Sequence, residues 1–262
     1  MPDVLVERRG RVALITLNRP EALNALVGDM REALRRAFDS AGRDPEVGAV
    51  VVTGAGRGFC SGGDIRFMEE VMERGGRFEE FLPLVAAGRE VVRAIQAVEK
   101  PVIAAVNGPA AGGGMGLALS CDLRWASERA RFGQSFARIG LHPDWGSLHA
   151  LPRLVGPSRA LELMWTGDLI DAAEALRIGA VSRVLPHDSL LPETLAFADR
   201  LARGPAVALA EIKRSVRASK TMTLEEALAR EIEAQERCWK TRDAREGIAA
   251  FREKREPRYE GR

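Results

Sequence analysis

Apolar residues follow two rhythms along this chain. Up to about residue 133 they come in short, dense runs at 4–9, 11–17, 49–53, 102–106, 123–126 and 131–133, bounded mostly by Gly, Pro or Asn. Runs of this length, rich in Val, Ile, Leu and Ala, predict strands. The first two flank Arg9-Gly10 and predict a hairpin. AVVVT at 49–53 lacks polar alternation, as expected of a strand buried on both faces. Between the strands, Leu34, Ala37 and Phe38 recur at helical spacing after Asp29, and a second helix is predicted from Leu84 to Val98, ending before Lys100-Pro101. The charged stretch 66–83, with Gly75-Gly76, predicts a mobile connection or a broken helix. Helical spacing dominates afterwards, at about 157–165, 171–177, 192–203, 205–219, 223–240 and 243–254. Pro157, Gly167, Gly179, Gly204-Pro205 and Thr223 punctuate these segments. The order strand-strand-helix, repeated and followed by a helical C-terminal third, predicts an α/β protein built from ββα turns rather than an evenly alternating parallel sheet.

Composition narrows the function classes. A chain of 262 residues, 46% hydrophobic and 29% charged, is an ordinary globular composition. Its 39 basic and 37 acidic residues nearly cancel, so bulk charge supports binding to neither nucleic acid nor a membrane surface. The three cysteines (Cys60, Cys121 and Cys238) form no CxxC pair, which argues against a disulfide framework or a metal site and for a reducing compartment. No apolar run reaches the roughly 18 residues of a membrane span, and MPDVLVERRG does not read as a signal peptide. A cytoplasmic location is the expectation.

The glycines carry the candidate chemistry. Gly54-Ala55-Gly56-Arg57-Gly58 follows a strand, but Phe59 stands where a dinucleotide fingerprint needs its third glycine, and more loop follows. No P-loop pattern occurs. Two glycine-rich loops remain, Ser61-Gly62-Gly63-Asp64 and Gly112-Gly113-Gly114, each after a strand, the second opening into the helix-prone run Met115 to Cys121. Bare N–H groups at a helix start, backed by the helix dipole, suit an oxygen carrying negative charge. Two such loops converging would supply two donors to one oxygen, an oxyanion hole in which each donor is worth about 2.7–4 kcal/mol to the transition state.

The runs FCSGGDI, KPVIAAVNGPAAGGGMGLALSCD and ARFGQ, with TLNRPEALNAL near the start and EGIAAFREKREPRYEGR at the end, closely resemble the crotonase (enoyl-CoA hydratase/isomerase) superfamily. The resemblance spans essentially the whole chain. It implies a crotonase-type ββα spiral core at 1–200, a helical C-terminal oligomerisation region at 201–262, and a homotrimer or dimer of trimers. It also implies an acyl-CoA thioester substrate, coenzyme A being part of the substrate, with no separate cofactor and no metal. The family's two enolate-stabilising N–H groups map onto Gly63 and Gly113. Ser61, Gly62, Asp64 and Ile65 map onto the loop bracketing the adenine and pantetheine. Phe251 and Lys254 match positions approaching the CoA of a neighbouring subunit, with an ordinary amphipathic helix end as the alternative.

The departures decide the chemistry. Hydratases of the family carry glutamates where this chain has Gly116 and Phe136, so the two groups that activate water and handle the α-proton are missing. Phe136 becomes an acyl-pocket candidate. Asp144, eight residues beyond Phe136, matches an aspartate that is catalytic in branches including 1,2-epoxyphenylacetyl-CoA isomerase, the branch most similar across this region, and 4-chlorobenzoyl-CoA dehalogenase. Among Leu141, Trp145 and Leu148 its pKa is expected to be raised; the alternative is a helix N-cap. The dehalogenase's tryptophan and histidine helpers are replaced by Phe136 and Ala137. These features favour a 1,3-proton shift in an enoyl-CoA or ring-modified acyl-CoA over a lyase, hydrolase or dehalogenase, and over a non-catalytic acyl-CoA- or RNA-binding relative. His142 is expected to line the pocket without transferring protons, and His149 to sit on a helix. Cys60 and Cys121 should be core residues, Trp145 either a pocket wall or core, and the arginines of helix 28–41 a solvated face.

Overall fold

The computed structural model describes residues 1–261. Strands β1 (Val4–Arg9) and β2 (Val12–Leu17) form the expected hairpin, with Val4 opposite Leu17 and Arg9 opposite Val12. Helix α1 (Met30–Arg43) leads to β3 (Ala49–Gly54), then α2 (Ile65–Glu73) and α3 (Phe78–Ala97). Strands β4 (Val102–Val106) and β5 (Ala110–Ala111) precede α4 (Gly113–Ser120). β6 (Leu123–Ser127) and β7 (Arg131–Gly133) follow, then α5 (Ser147–Val155) and α6 (Pro157–Thr166). Next come β8 (Ile170–Asp171), α7 (Ala172–Arg177), β9 (Arg183–Leu185) and α8 (His187–Ala202). Helices α9 (Ala206–Ala218), α10 (Leu224–Trp239) and α11 (Arg242–Glu253) complete the chain.

The large sheet runs β1-β2-β3-β4-β6-β9, parallel except for the hairpin. A smaller sheet, β5-β7-β8, is extended by a parallel bridge between Cys60 and Ala110. Successive turns of the chain therefore place a strand in the large sheet, a short one in the small sheet, and then helix. This is the ββα spiral, and it brings the ends of β3 and β4 and the two glycine loops side by side. Both faces of the large sheet are covered. Ile15, Val50, Val52, Val102 and Ala104 pack with Leu34 and Phe38 of α1 and with Val91 and Ile95 of α3. Their strand neighbours Leu14, Val51, Ile103 and Ala105 pack with Leu190, Ala198 and Ala202 of α8. Double coverage is why the strand sequences lack polar alternation.

The structure departs from the sequence reading at helix α3 and at three short strands. The helix expected from Leu84 begins at Phe78, with Pro83 tolerated in its second turn, and the 66–83 stretch is a helix broken at Gly75-Gly76. The helix expected near Trp145 and His149 is α5, whereas the two-residue strands β5 and β8 and the edge strand β9 were not expected. All three strands are short, and β9 is defined by distant pairing, Trp125 opposite Arg183.

The C-terminal helices are tied to the core by charge. Asp122 accepts from Lys213 at 2.5 Å and from Arg217 at 2.7 Å. Glu211, 2% exposed, meets Arg214 at 2.6 Å, Arg230 at 2.7 Å and Arg237 at 2.9 Å, joining α9 to α10. Removing this one buried carboxylate takes the shared acceptor from three arginines at once, leaving Arg214 with Glu99 and Arg230 and Arg237 with only the longer contacts to Glu233. We expect Glu211→Ala to lower Tm by roughly 5 °C in thermal melts, with loosening concentrated at α10 in hydrogen exchange.

Candidate active site

The approach to the first glycine loop is shaped by two side-chain amides, Asn24 buried and Asn107 half-buried. Asn24, fully buried, donates through Nδ2 to the carbonyls of Gly58 at 2.8 Å and Ala55 at 3.0 Å, while its Oδ1 accepts from the Arg19 N–H at 2.7 Å. Asn107 at the end of β4 accepts from the Gly54 N–H at 3.1 Å and donates to the Gly56 carbonyl at 2.9 Å. The next residues are held by backbone: Ser61 N–H donates to Leu23 O at 3.0 Å, and Leu26 N–H to Gly62 O at 2.8 Å. The second loop is anchored by Ala111 N–H to Cys60 O at 3.0 Å and Gly112 N–H to Gly133 O at 2.9 Å.

The loops abut. A Cβ on Gly62 would stand 3.3 Å from the Gly113 nitrogen, and one on Gly114 would stand 2.0 Å from Cys60 O. Gly114 must therefore lack a side chain for the contact to exist. Gly112, at φ 50° and ψ −122°, turns the chain into α4 through a conformation only glycine adopts readily. Among the described residues neither the Gly63 nor the Gly113 N–H donates to a protein acceptor. Both residues line a cavity of about 670 Å³. Two unspent donors at one mouth, one of them at the positive end of α4, are what a developing oxyanion requires.

The cavity is mostly apolar, walled by Phe78, Phe81, Leu84 and Val85 of α3 and by Phe136, Ile139 and Leu141. Asp144 supplies its one carboxylate among the lining residues. Burial raises the Asp144 pKa to about 6, against the opposing pull of the Arg31 charge, a bond from its own backbone N–H, and His142. Its Oδ1 is buried with no hydrogen-bond partner. Helix α5 is capped at Gly146 without a side-chain bond, so the Asp144 carboxylate does not cap it. Gln134 donates to Ser147 Oγ at 3.0 Å, both side chains being fully buried, and this fixes the start of α5 just after Asp144.

Trp145 explains the missing glutamate sterically. With φ at 53° and 5% exposure, it is inserted between α3 and α4. Its indole Nε1 lies 2.7 Å from where a Cβ on Gly88 would be and 2.9 Å from that of Gly113. At Gly116 a Cβ would meet Trp145 Cβ at 2.4 Å. The space a glutamate needs there is occupied. Gly116→Glu is therefore expected to lose stability, by about 1–3 kcal/mol or more through overpacking, without gaining hydration of crotonyl-CoA; melting and a hydration assay together check this.

Of the other candidates, Ser61, Gly62, Ile65 and His142 line the same cavity. Asp64 lines a smaller adjoining one and caps α2 through the Arg66 N–H at 3.0 Å. His142 Nδ1 lies 2.7 Å from Pro143 O, and His149 lines a separate cavity beside α9. Cys60 and Cys121 are buried, and burial pushes both thiols up to about 12, as befits packing residues. Phe251, 88% exposed, and Lys254 stand at the end of α11 and do not line this cavity.

One expectation is overturned. Arg31 is not on a solvated face: it is 5% exposed and lines the cavity. The signal was present, because Arg31 falls at i, i+3, i+7 with Leu34 and Phe38 on the apolar stripe of α1.

Comparison with known proteins agrees with this geometry. The model of the family "Enoyl-CoA hydratase/isomerase" matches residues 7–262. The chain is 39% identical over 258 residues to the crotonyl-CoA hydratase of Syntrophomonas wolfei, covering 98% of this chain and 97% of that one. It is 40% identical over 254 residues to the short-chain-enoyl-CoA hydratase of Clostridium acetobutylicum, covering 97% and 95%. The crystal structure of an enoyl-CoA hydratase from Bacillus anthracis superposes with a TM-score of 0.93 at 33% identity, covering 100% of both chains. The spiral fold, the paired glycine loops and a family match running nearly end to end agree: the chain belongs to the enoyl-CoA hydratase/isomerase family.

Proposed function

We propose that the protein is an acyl-CoA isomerase that shifts a proton along an enolised thioester, as in conversion of a 3-enoyl-CoA to the conjugated 2-enoyl-CoA. The observation that carries this reading is the pairing of a single lining carboxylate, Asp144, with a tryptophan filling the space above Gly116. The thioester oxygen accepts from the Gly63 and Gly113 N–H groups. The ionised Asp144 takes a proton from C2, and the electron pair passes into the dienolate. The same carboxyl group then delivers the proton to C4, regenerating carboxylate and leaving a double bond between C2 and C3. One group does both transfers and no water is consumed. The similarity to the phenylacetate branch at Asp144 supports a ring-modified acyl group as a variant of the same chemistry.

The names of the relatives support a second reading, hydration. In this chain it would have to proceed with Asp144 alone. The apolar residues left exposed on the last helices, among them Ile212, Ile232, Trp239 and Phe251, support assembly through 201–262 into a homotrimer or dimer of trimers, in which Phe251 and Lys254 would reach a neighbour's CoA.

A pH–rate profile tests the proton-transfer role. With Asp144 acting as base from a pKa of about 6, kcat/KM for a 3-enoyl-CoA is expected to rise with pH up to about that value and then level off. A flat profile from acid to neutral pH excludes Asp144 as the base.

A further inference from the structure

Arg31 is the polar group that the proton shift leaves unexplained. It is 5% exposed, its Nε is buried without a hydrogen-bond partner, and among the described residues no carboxylate pairs with it. Its Nη2 reaches to 3.7 Å from where a Cβ on Gly63 would stand, beside the proposed oxyanion hole. Asp144, the opposite charge that faces it, is too far for an ion pair and also keeps an oxygen unpartnered. Burial lowers the Arg31 pKa, the Asp144 carboxylate foremost among the groups opposing that shift, yet a guanidinium remains charged. A plain alkyl chain filling this cavity would strip water from both groups and return no hydrogen bond, which is costly for buried polar atoms.

Building on the acyl-CoA reading, we propose that Arg31 is a specificity residue for acyl-CoAs whose acyl chain carries an oxygen acceptor (hydroxyl, carbonyl or carboxylate). The guanidinium donates to that oxygen. A neutral hydroxyl can in turn donate to Asp144, whereas a carboxylate draws on the Arg31 charge, the other lining guanidinium, Arg138, being paired with Asp168.

The test is calorimetric binding to the intact protein of butyryl-CoA, 3-hydroxybutyryl-CoA, 4-hydroxybutyryl-CoA and succinyl-CoA, saturated thioesters of equal carbon number that do not undergo the proton shift. At least one oxygenated thioester is expected to bind about tenfold or more tightly than butyryl-CoA. Arg31→Met should erase that ratio while leaving butyryl-CoA binding unchanged or improved, and Arg31→Lys should keep part of it. Preference for succinyl-CoA alone marks an anionic acyl group; preference for a hydroxyl marks a neutral one. Equal binding of all four by the wild type, or a preference that survives in Arg31→Met, overturns the proposal, and so does a uniform loss across the panel. Release of crotonyl-CoA from the 3-hydroxybutyryl thioester would count against the isomerase reading and not against the Arg31 assignment.

Discussion

Asp144→Asn is expected to lower kcat for isomerisation of a 3-enoyl-CoA by about 10²–10⁴-fold, the usual worth of a positioned acid–base group, with KM nearly unchanged. The variant keeps the shape of the side chain and removes only its basicity. A second consequence separates loss of chemistry from damage to the fold. Burial raises the Asp144 pKa from 3.8 to about 6, so the folded protein prefers the protonated form. Stability associated with that preference is complete below the unfolded value and is lost as pH rises through the folded one. Wild type at pH 8 therefore holds a carboxylate whose ionisation costs on the order of 3 kcal/mol, a cost that the amide lacks. Melting should show Asp144→Asn more stable than wild type at pH 8, the gap closing in acid. An inactive variant with raised Tm has lost a functional group; an inactive variant with lowered Tm has lost packing.

The second large effect is at the hole. Gly63→Pro removes one N–H donor, and its Cβ would stand 2.8 Å from the methyl end of Met68, a flexible neighbour. Loss of one preorganised donor should cost about 10²–10³ in kcat, while acyl-CoA binding persists. Binding measured by calorimetry beside single-turnover rates separates the two. A variant that retains full kcat removes Gly63 from the hole.

Most of the spiral was legible because its strands are signalled locally. Val50, Val51 and Val52 are buried whichever face they take, and AVVVT states this without reference to any partner. β9 carries no such signal; its three residues are a strand only because Trp125, Ala126 and Ser127 lie beside them. The glycine loops were legible because close backbone approach excludes side chains, as Gly114 against Cys60 illustrates. Trp145 was ambiguous between wall and core, and it is both. It packs against Gly88 and fills the void at Gly116, a fact about three segments that no single stretch contains. Arg31 was misread because its charged neighbours Glu32, Arg35 and Arg36 suggested a solvated face, although its helical phase with Leu34 and Phe38 pointed inward. Charge type outweighed periodicity in that reading, and periodicity was the better guide.

The site sets a single carboxylate, Asp144, in the cavity of an enoyl-CoA hydratase/isomerase family scaffold, and in the proposed reaction that carboxylate makes both proton transfers. The most direct measurement is a side-by-side assay of the purified wild-type protein with a 3-enoyl-CoA and with crotonyl-CoA, following formation of the conjugated 2-enoyl thioester from the first and its loss from the second. The expected result is rapid conversion of the 3-enoyl-CoA with crotonyl-CoA left essentially unhydrated. Rapid hydration of crotonyl-CoA, with the 3-enoyl-CoA unchanged, would contradict it.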